Sequence, residues 1–197
     1  MRAPTKRTTN VFLNVPFDEQ YAPLYVALIA ALTAFGRTPR TVLEIPTQEA
    51  RLARLRAIIG ACGASVHDLS RVETSGDPPV PRFNMPFELG LTLGMHQSDH
   101  AWFVFESVPH RIHRSLSDLG GHDAEVHDGK PEGILCAVTN AFGVRNHTVT
   151  HDDLITLWKA LQNVVPRIRK ERRSLFTPAA FADLVLSGQK LARARIA

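Results

Sequence analysis

The segment Arg82-Phe83-Asn84-Met85-Pro86-Phe87-Glu88-Leu89-Gly90, followed by Gly94, gathers a cation, an amide, a carboxylate and two spaced glycines. Asn84 suits a helix N-cap and Pro86 the first turn. Glu88 then falls in or near that turn, where the helix dipole favours an ionised carboxylate. Gly90 and Gly94 are four apart and share one helix face. Each weakens a helix by roughly 1 kcal/mol, so the spacing predicts close approach of a strand or a ligand to that face. An ionised carboxylate beside a ligand can stabilise developing positive charge or capture it covalently. The plainer reading makes Glu88 a helix-start acid and the glycines an aid to helix-on-sheet packing.

Further polar residues stand where short apolar runs end. Asn14 lies at the end of Val11-Phe12-Leu13-Asn14-Val15, and Phe17 and Asp18 follow Pro16. Glu44 ends the second run; Asp68, Ser70 and Arg71 end the third; Arg82 and Asn84 open the next helix. In an open parallel sheet, ligands bind beyond the carboxyl ends of the strands, where strand order reverses. Placed there, these residues share one rim. Taken singly, each also reads as a turn former or a cap.

The elements that must position them alternate. Val11–Val15 reads as a buried strand. Ala22–Phe35 carries apolar residues at helical spacing and is stopped by Gly36. Thr38–Leu43 reads as a strand broken by Pro46, and Thr47 caps a helix to about Cys62. Ala64–Asp68 is a third strand, the polar stretch Leu69–Phe83 a loop, Asn84 to about His96 a helix and Ala101–Phe105 a fourth strand. The pattern predicts an α/β fold, a parallel sheet with helices on both faces, in which the first and third strands are adjacent.

Residues 108–128 read mostly as loop, with a fifth edge strand left unplaced. Helices then follow at Pro131–Phe142, from the Thr150 cap past a kink at Pro166, and from Thr177-Pro178 through Leu191. This divides the chain into a flexible start (1–10), an α/β domain (11–130) and a helical C-terminal extension (131–197). By count alone, Leu154, Leu157, Trp158, Leu161, Phe176, Phe181, Leu184 and Leu191 make more apolar surface than one sheet face is expected to cover, so the extension is expected to pack on the domain or to form a homo-oligomer contact.

Composition bounds the function. The chain has 197 residues, 44% hydrophobic and 21% charged, which is globular. Lys plus Arg is 23 against 19 Asp plus Glu. The net charge of +4 suits an anionic ligand and falls short of the basic stripe of a nucleic-acid binder. No apolar run approaches the roughly 20 residues of a transmembrane helix, and no signal segment is visible. Cys62 and Cys136 lie in apolar stretches, so both are expected to be buried, reduced thiols of a cytoplasmic protein. No GxGxxG, GxxxxGK[ST] or GxSxG segment is present. His110, His113, His122, Asp123 and His127 match no standard zinc spacing, and no metal or cofactor is expected. The basic run Arg167–Arg173 reads as a solvated helix face.

The order strand, Pro16-Phe17-Asp18, helix, strand ending in Glu44, helix, strand ending in His67-Asp68-Leu69-Ser70-Arg71, then Arg82-x-Asn84-x-x-Phe87-Glu88-Leu89-Gly90 resembles the nucleoside 2-deoxyribosyltransferase and TIR-like superfamily. The likeness is nearest to bacterial TIR-like nucleotide-binding proteins and covers about the first 106 residues. It implies a flavodoxin-like sheet and makes Glu88 the carboxylate acting on the anomeric carbon of a ribose or deoxyribose. The segment 117–127 resembles a motif of one subgroup and adds Asp118, Asp123 and His127 to the rim. The Asp-x-Gly-Thr segment of many deoxyribosyltransferases and the serine-rich BB-loop of typical TIR domains are absent. On this resemblance, Asp68 or Asp18 would hold sugar hydroxyls, Arg82 or Arg71 a phosphate, and Phe17 would stack on the base. The implied activity is N-glycosidic cleavage of a nucleotide, with NAD as substrate rather than cofactor. Deoxyribosyl transfer, nucleoside hydrolysis and non-catalytic nucleotide sensing or protein interaction are the alternatives.

Overall fold

Alternation along the first strand sets the architecture. In β1 (Asn10–Asn14), Val11 and Leu13 point into one apolar cluster and Phe12 into another, so both sheet faces are buried. β3 (Ala64–Asp68) repeats this, with Ala64 and Val66 on the side of Val11 and Leu13. The computed structural model describes residues 8–45, 50–72, 74–75, 80–95, 100–143 and 148–196.

The sheet also contains β2 (Thr38–Thr41), β6 (Ala101–Glu106) and β7 (Glu125–Val126), and its order is β2-β1-β3-β6-β7. Every pairing within it is parallel. β1 and β3 are adjacent, in the register Val11 opposite Ala64 through Asn14 opposite His67. This is a flavodoxin-like α/β fold. Pro39, which has no N–H to donate, lies in the edge strand β2.

One face is covered by α1 (Ala22–Ala34), which packs against α5 (Pro131–Phe142), α6 (His151–Gln162) and α8 (Pro178–Arg195). Gly36, at φ 66°, turns the chain out of α1. The opposite face carries α2 (Arg51–Gly60) and α3 (Asn84–Met95). Thr150 and Thr177 cap α6 and α8 through Asp153 N–H and Ala180 N–H. A separate helix α7 (Val165–Arg172) places Pro166 in its first turn, so the chain breaks between α6 and α7 rather than kinking within one helix.

Several expectations are corrected. β2 stops at Thr41 because Thr41 and Glu44 form a capping box over a 3-10 turn at Val42–Glu44. The loop after β3 holds a two-residue antiparallel ladder, β4 (Thr74–Ser75) with β5 (Val80–Pro81). The stretch 108–128 contains α4 (Arg111–Ser115), a 3-10 turn at Ser117–Leu119 and the edge strand β7. The expected Thr47 cap and the helix end at His96 lie outside the described residues.

Leu154, Leu157, Trp158, Leu161, Phe181 and Leu184 are buried within the single chain, and Phe176 and Leu191 pack against the same core. The apolar count therefore gives no ground for self-association. Cys62 is buried, but Cys136 is exposed because it faces outward from α5. Burial pushes the Cys62 thiol up to about 12. Among the described residues, no helix is long and apolar enough to cross a membrane.

Candidate functional site

Strand order reverses at β1, with β2 on one side and β3 on the other, so the crevice lies beyond Asn14 and Asp68. A cavity of about 490 Å³ opens there, lined by Asn14, Val15, Phe17, Val42, Arg51, Leu52, Leu55, Asn84, Phe87 and Glu88. Four of the sequence candidates thus meet in one space: Asn14, Phe17, Asn84 and Glu88.

Glu88 is not in the first turn of α3, and this corrects the helix-dipole expectation. The buried residues of α3 are Met85, Glu88, Leu89 and Thr92, the i, i+3, i+4, i+7 stripe that faces the sheet. Glu88 stands on that stripe and is only 6% exposed. Burial pushes its carboxyl up to about 7, against the opposing pull of the Arg51 charge. Gly90 and Gly94 are exposed on other faces of α3, and a Cβ at either would meet nothing within 4 Å. The expected close approach to the glycine face is absent.

Asn14 is held on two sides. Its Nδ2 donates to Met85 O at 2.7 Å and lies 3.0 Å from His67 Nδ1. Phe17 lines the cavity with one side and packs edge-on against Tyr25 and near Phe176 with the other. Leu52 and Phe87 are 51% and 55% exposed, so the cavity has an apolar lip. Arg51, Leu52 and Phe87 were absent from the sequence-derived site. Phe87 carried a usable signal: it flanks Glu88, off the stripe that must face the core.

Asp68 has a different setting from the one the resemblance implied. It is fully buried, accepts the Tyr21 hydroxyl, and takes the Ser70 N–H at 2.9 Å. Burial and the Asp68 charge raise the Tyr21 phenol well above its ordinary value. His127, 1% exposed, accepts the Gly129 N–H on Nδ1, which leaves Nε2 as the nitrogen that carries a proton. That nitrogen lies 3.2 Å from Asp68 Oδ2 but makes no aligned hydrogen bond, so the contact is electrostatic. Asp68, Tyr21, Ser70 and His127 tie β3, the chain before α1 and the chain after β7 together beneath the rim.

The remaining candidates are also engaged. Asp18 pairs with both Arg71 at 3.2 Å and Arg82 at 3.0 Å. The partner of Arg82 is thus Asp18. Glu44 takes two bonds from Arg40 Nε and the Thr41 N–H, a capping arrangement. Asp118 and Asp123 are exposed and outside the cavity lining.

A second cavity of about 270 Å³ lies across the start of α3, lined by Arg82, Phe83, Pro86, Glu106, Arg111 and neighbouring apolar residues. Glu106, 3% exposed, accepts the Ile112 N–H at 2.6 Å and so anchors α4 to the end of β6. Comparison of the chain with family models, curated proteins and solved structures finds no match.

Proposed function

We propose that the chain cleaves the N-glycosidic bond of a nucleotide, NAD first, with Glu88 as the carboxylate that meets the anomeric carbon of the sugar. The observation that carries this reading is a carboxylate only 6% exposed that lines a cavity of about 490 Å³. Burial makes the ionised form costly until a cation arrives, and the sugar becomes cationic as the bond breaks. In NAD the C1′–N electron pair leaves with nicotinamide, which departs neutral. Water then adds to C1′ and releases a proton. Before cleavage the positive charge of the nicotinamide ring already favours ionised Glu88.

The rest of the lining supports the same assignment. Phe87 and Leu52 offer an apolar lip on which a base can stack. Arg51 is the cation among the lining residues and would meet a phosphate. Arg71 and Arg82, expected in that role, share Asp18 instead.

The test is release of free base from NAD and from a nucleoside panel, followed by chromatography. Glu88→Gln keeps the side-chain size and removes the charge. Loss of a preorganised electrostatic partner costs about 2.7–4 kcal/mol of transition-state stabilisation. Glu88→Gln is therefore expected to bind substrate and to release base at least about a hundredfold more slowly. Wild-type rates in Glu88→Gln, or no base released from any substrate by the wild type, would overturn the proposal.

A further inference from the structure

The inner face of β3 that looks toward α3 carries two fully buried polar side chains, Ser65 and His67. Buried polar groups need partners, and here the partners form a single chain. Asn14 Nδ2 lies 3.0 Å from His67 Nδ1; His67 Nε2 lies 2.9 Å from Ser65 Oγ. Ser65 Oγ lies 3.0 Å from His100 Nε2, and His100 Nδ1 lies 3.1 Å from Cys62 O.

The directions at the two ends follow from their acceptors. Met85 O only accepts, so the Asn14 nitrogen faces it at 2.7 Å and the second amide hydrogen goes to His67. His67 Nδ1 is then bare and Nε2 carries the proton. From the other end, Cys62 O only accepts, so His100 bears a proton on Nδ1. The Ser65 oxygen takes the His67 Nε2–H, and its 3.0 Å contact with His100 Nε2 carries the chain on to that ring. Burial and the neighbouring His100 hold His67 neutral, with its pKa pushed down to about 3.

Both hydrogens of the Asn14 amide are thus engaged, and Oδ1 is the polar atom that Asn14 has left to offer the cavity it lines. We propose that Asn14 Oδ1, fixed by the Ser65–His67–His100 chain, accepts a hydrogen bond from a sugar hydroxyl of the ligand beside Glu88. Ser65, His67 and His100 are positioning residues in this assignment. The choice of a sugar as donor rests on the glycosidase reading; the polarity of the chain does not.

Two measurements test it on the whole protein. Nitrogen-15 NMR of labelled histidine should show His67 protonated on Nε2 and bare on Nδ1, and His100 protonated on Nδ1. A proton on His67 Nδ1 would overturn the proposal. Binding of the common ribonucleosides is then compared with that of the matching 2′,3′-dideoxynucleosides by calorimetry. The wild type should favour at least one ribonucleoside over its dideoxy partner by about tenfold, the worth of one hydrogen bond. Asn14→Leu should bring the ratio near one, and Ser65→Ala should narrow it. An equal affinity for both sugars in the wild type, or no binding of any ribonucleoside, would overturn the sugar assignment. A diol preference without base release would remove the glycosidase reading and leave this one standing.

Discussion

Replacing Glu88 by Gln should make the protein more stable at neutral and alkaline pH, and should leave it unchanged in acid. Burial raises the folded-state pKa of Glu88 from 4.5 to about 7. Between those values the folded chain holds a proton that the unfolded chain has lost, so stability falls as pH rises through this window. Below about 4.5 both states are protonated and the carboxyl behaves much like the amide. Above about 7 the folded state carries the full cost of a buried charge. At 1.36 kcal/mol per unit, that cost is about 3 kcal/mol. Urea unfolding of wild type and variant at about pH 4 and about pH 8 reads the difference directly. The variant should gain about 3 kcal/mol over the wild type at the higher pH and about none at the lower. A gain that does not change between the two would refute the argument that burial controls this carboxylate. A loss at both would make Glu88 a structural hydrogen-bond acceptor.

The same shift makes base release pH-dependent: if ionised Glu88 faces the sugar, kcat/KM rises through about pH 7, and a rate falling there would mark Glu88 as a proton donor. Gly90→Ala and Gly94→Ala meet open space, so each should raise stability by about 0.5–1 kcal/mol in thermal melts, and a loss would reveal an unseen neighbour. Gly133→Ala should do the reverse, because its Cβ would fall on the backbone of His127, 2.1 Å from the carbonyl oxygen; a cost of at least about 1–3 kcal/mol is expected, and none would show that the loop can shift. Asp68→Asn should lower stability by about 1–3 kcal/mol through its bonds to Tyr21 and Ser70 while leaving nucleoside affinity near wild type. A variant that unfolds normally but no longer binds would return Asp68 to the sugar.

The central strands were readable because Val11–Val15 and Ala64–Asp68 are apolar runs short enough to be strands and are separated by crossover-length helices. β7 was not, since two residues hold it to the sheet through β6 and carry no periodicity. Asn14, Phe17 and Asn84 could be placed near one cavity because each lies by a strand end or a helix start, and Glu88 because it follows Asn84 by one helical turn. The state of Glu88 was missed for a local reason. The Asn84 cap suggested a surface position, while the Met85, Leu89 and Thr92 spacing that turns Glu88 inward was already in the sequence. His127 reaches Asp68 only through the return of the chain at β7, a long-range pairing that no local pattern encodes.

The burial of α1 bears on how the chain is made. Every residue of α1 except Pro23 is buried, and part of its cover comes from α8, which begins only at Pro178. Until the last helix is added, the part of α1 that α8 covers lacks that cover. Loops between such distant partners close slowly, and exposed apolar surface invites aggregation meanwhile. The nascent chain therefore completes its core only once α8 has emerged, and a product ending before Pro178 is a substrate for chaperones and proteases rather than a smaller functional unit.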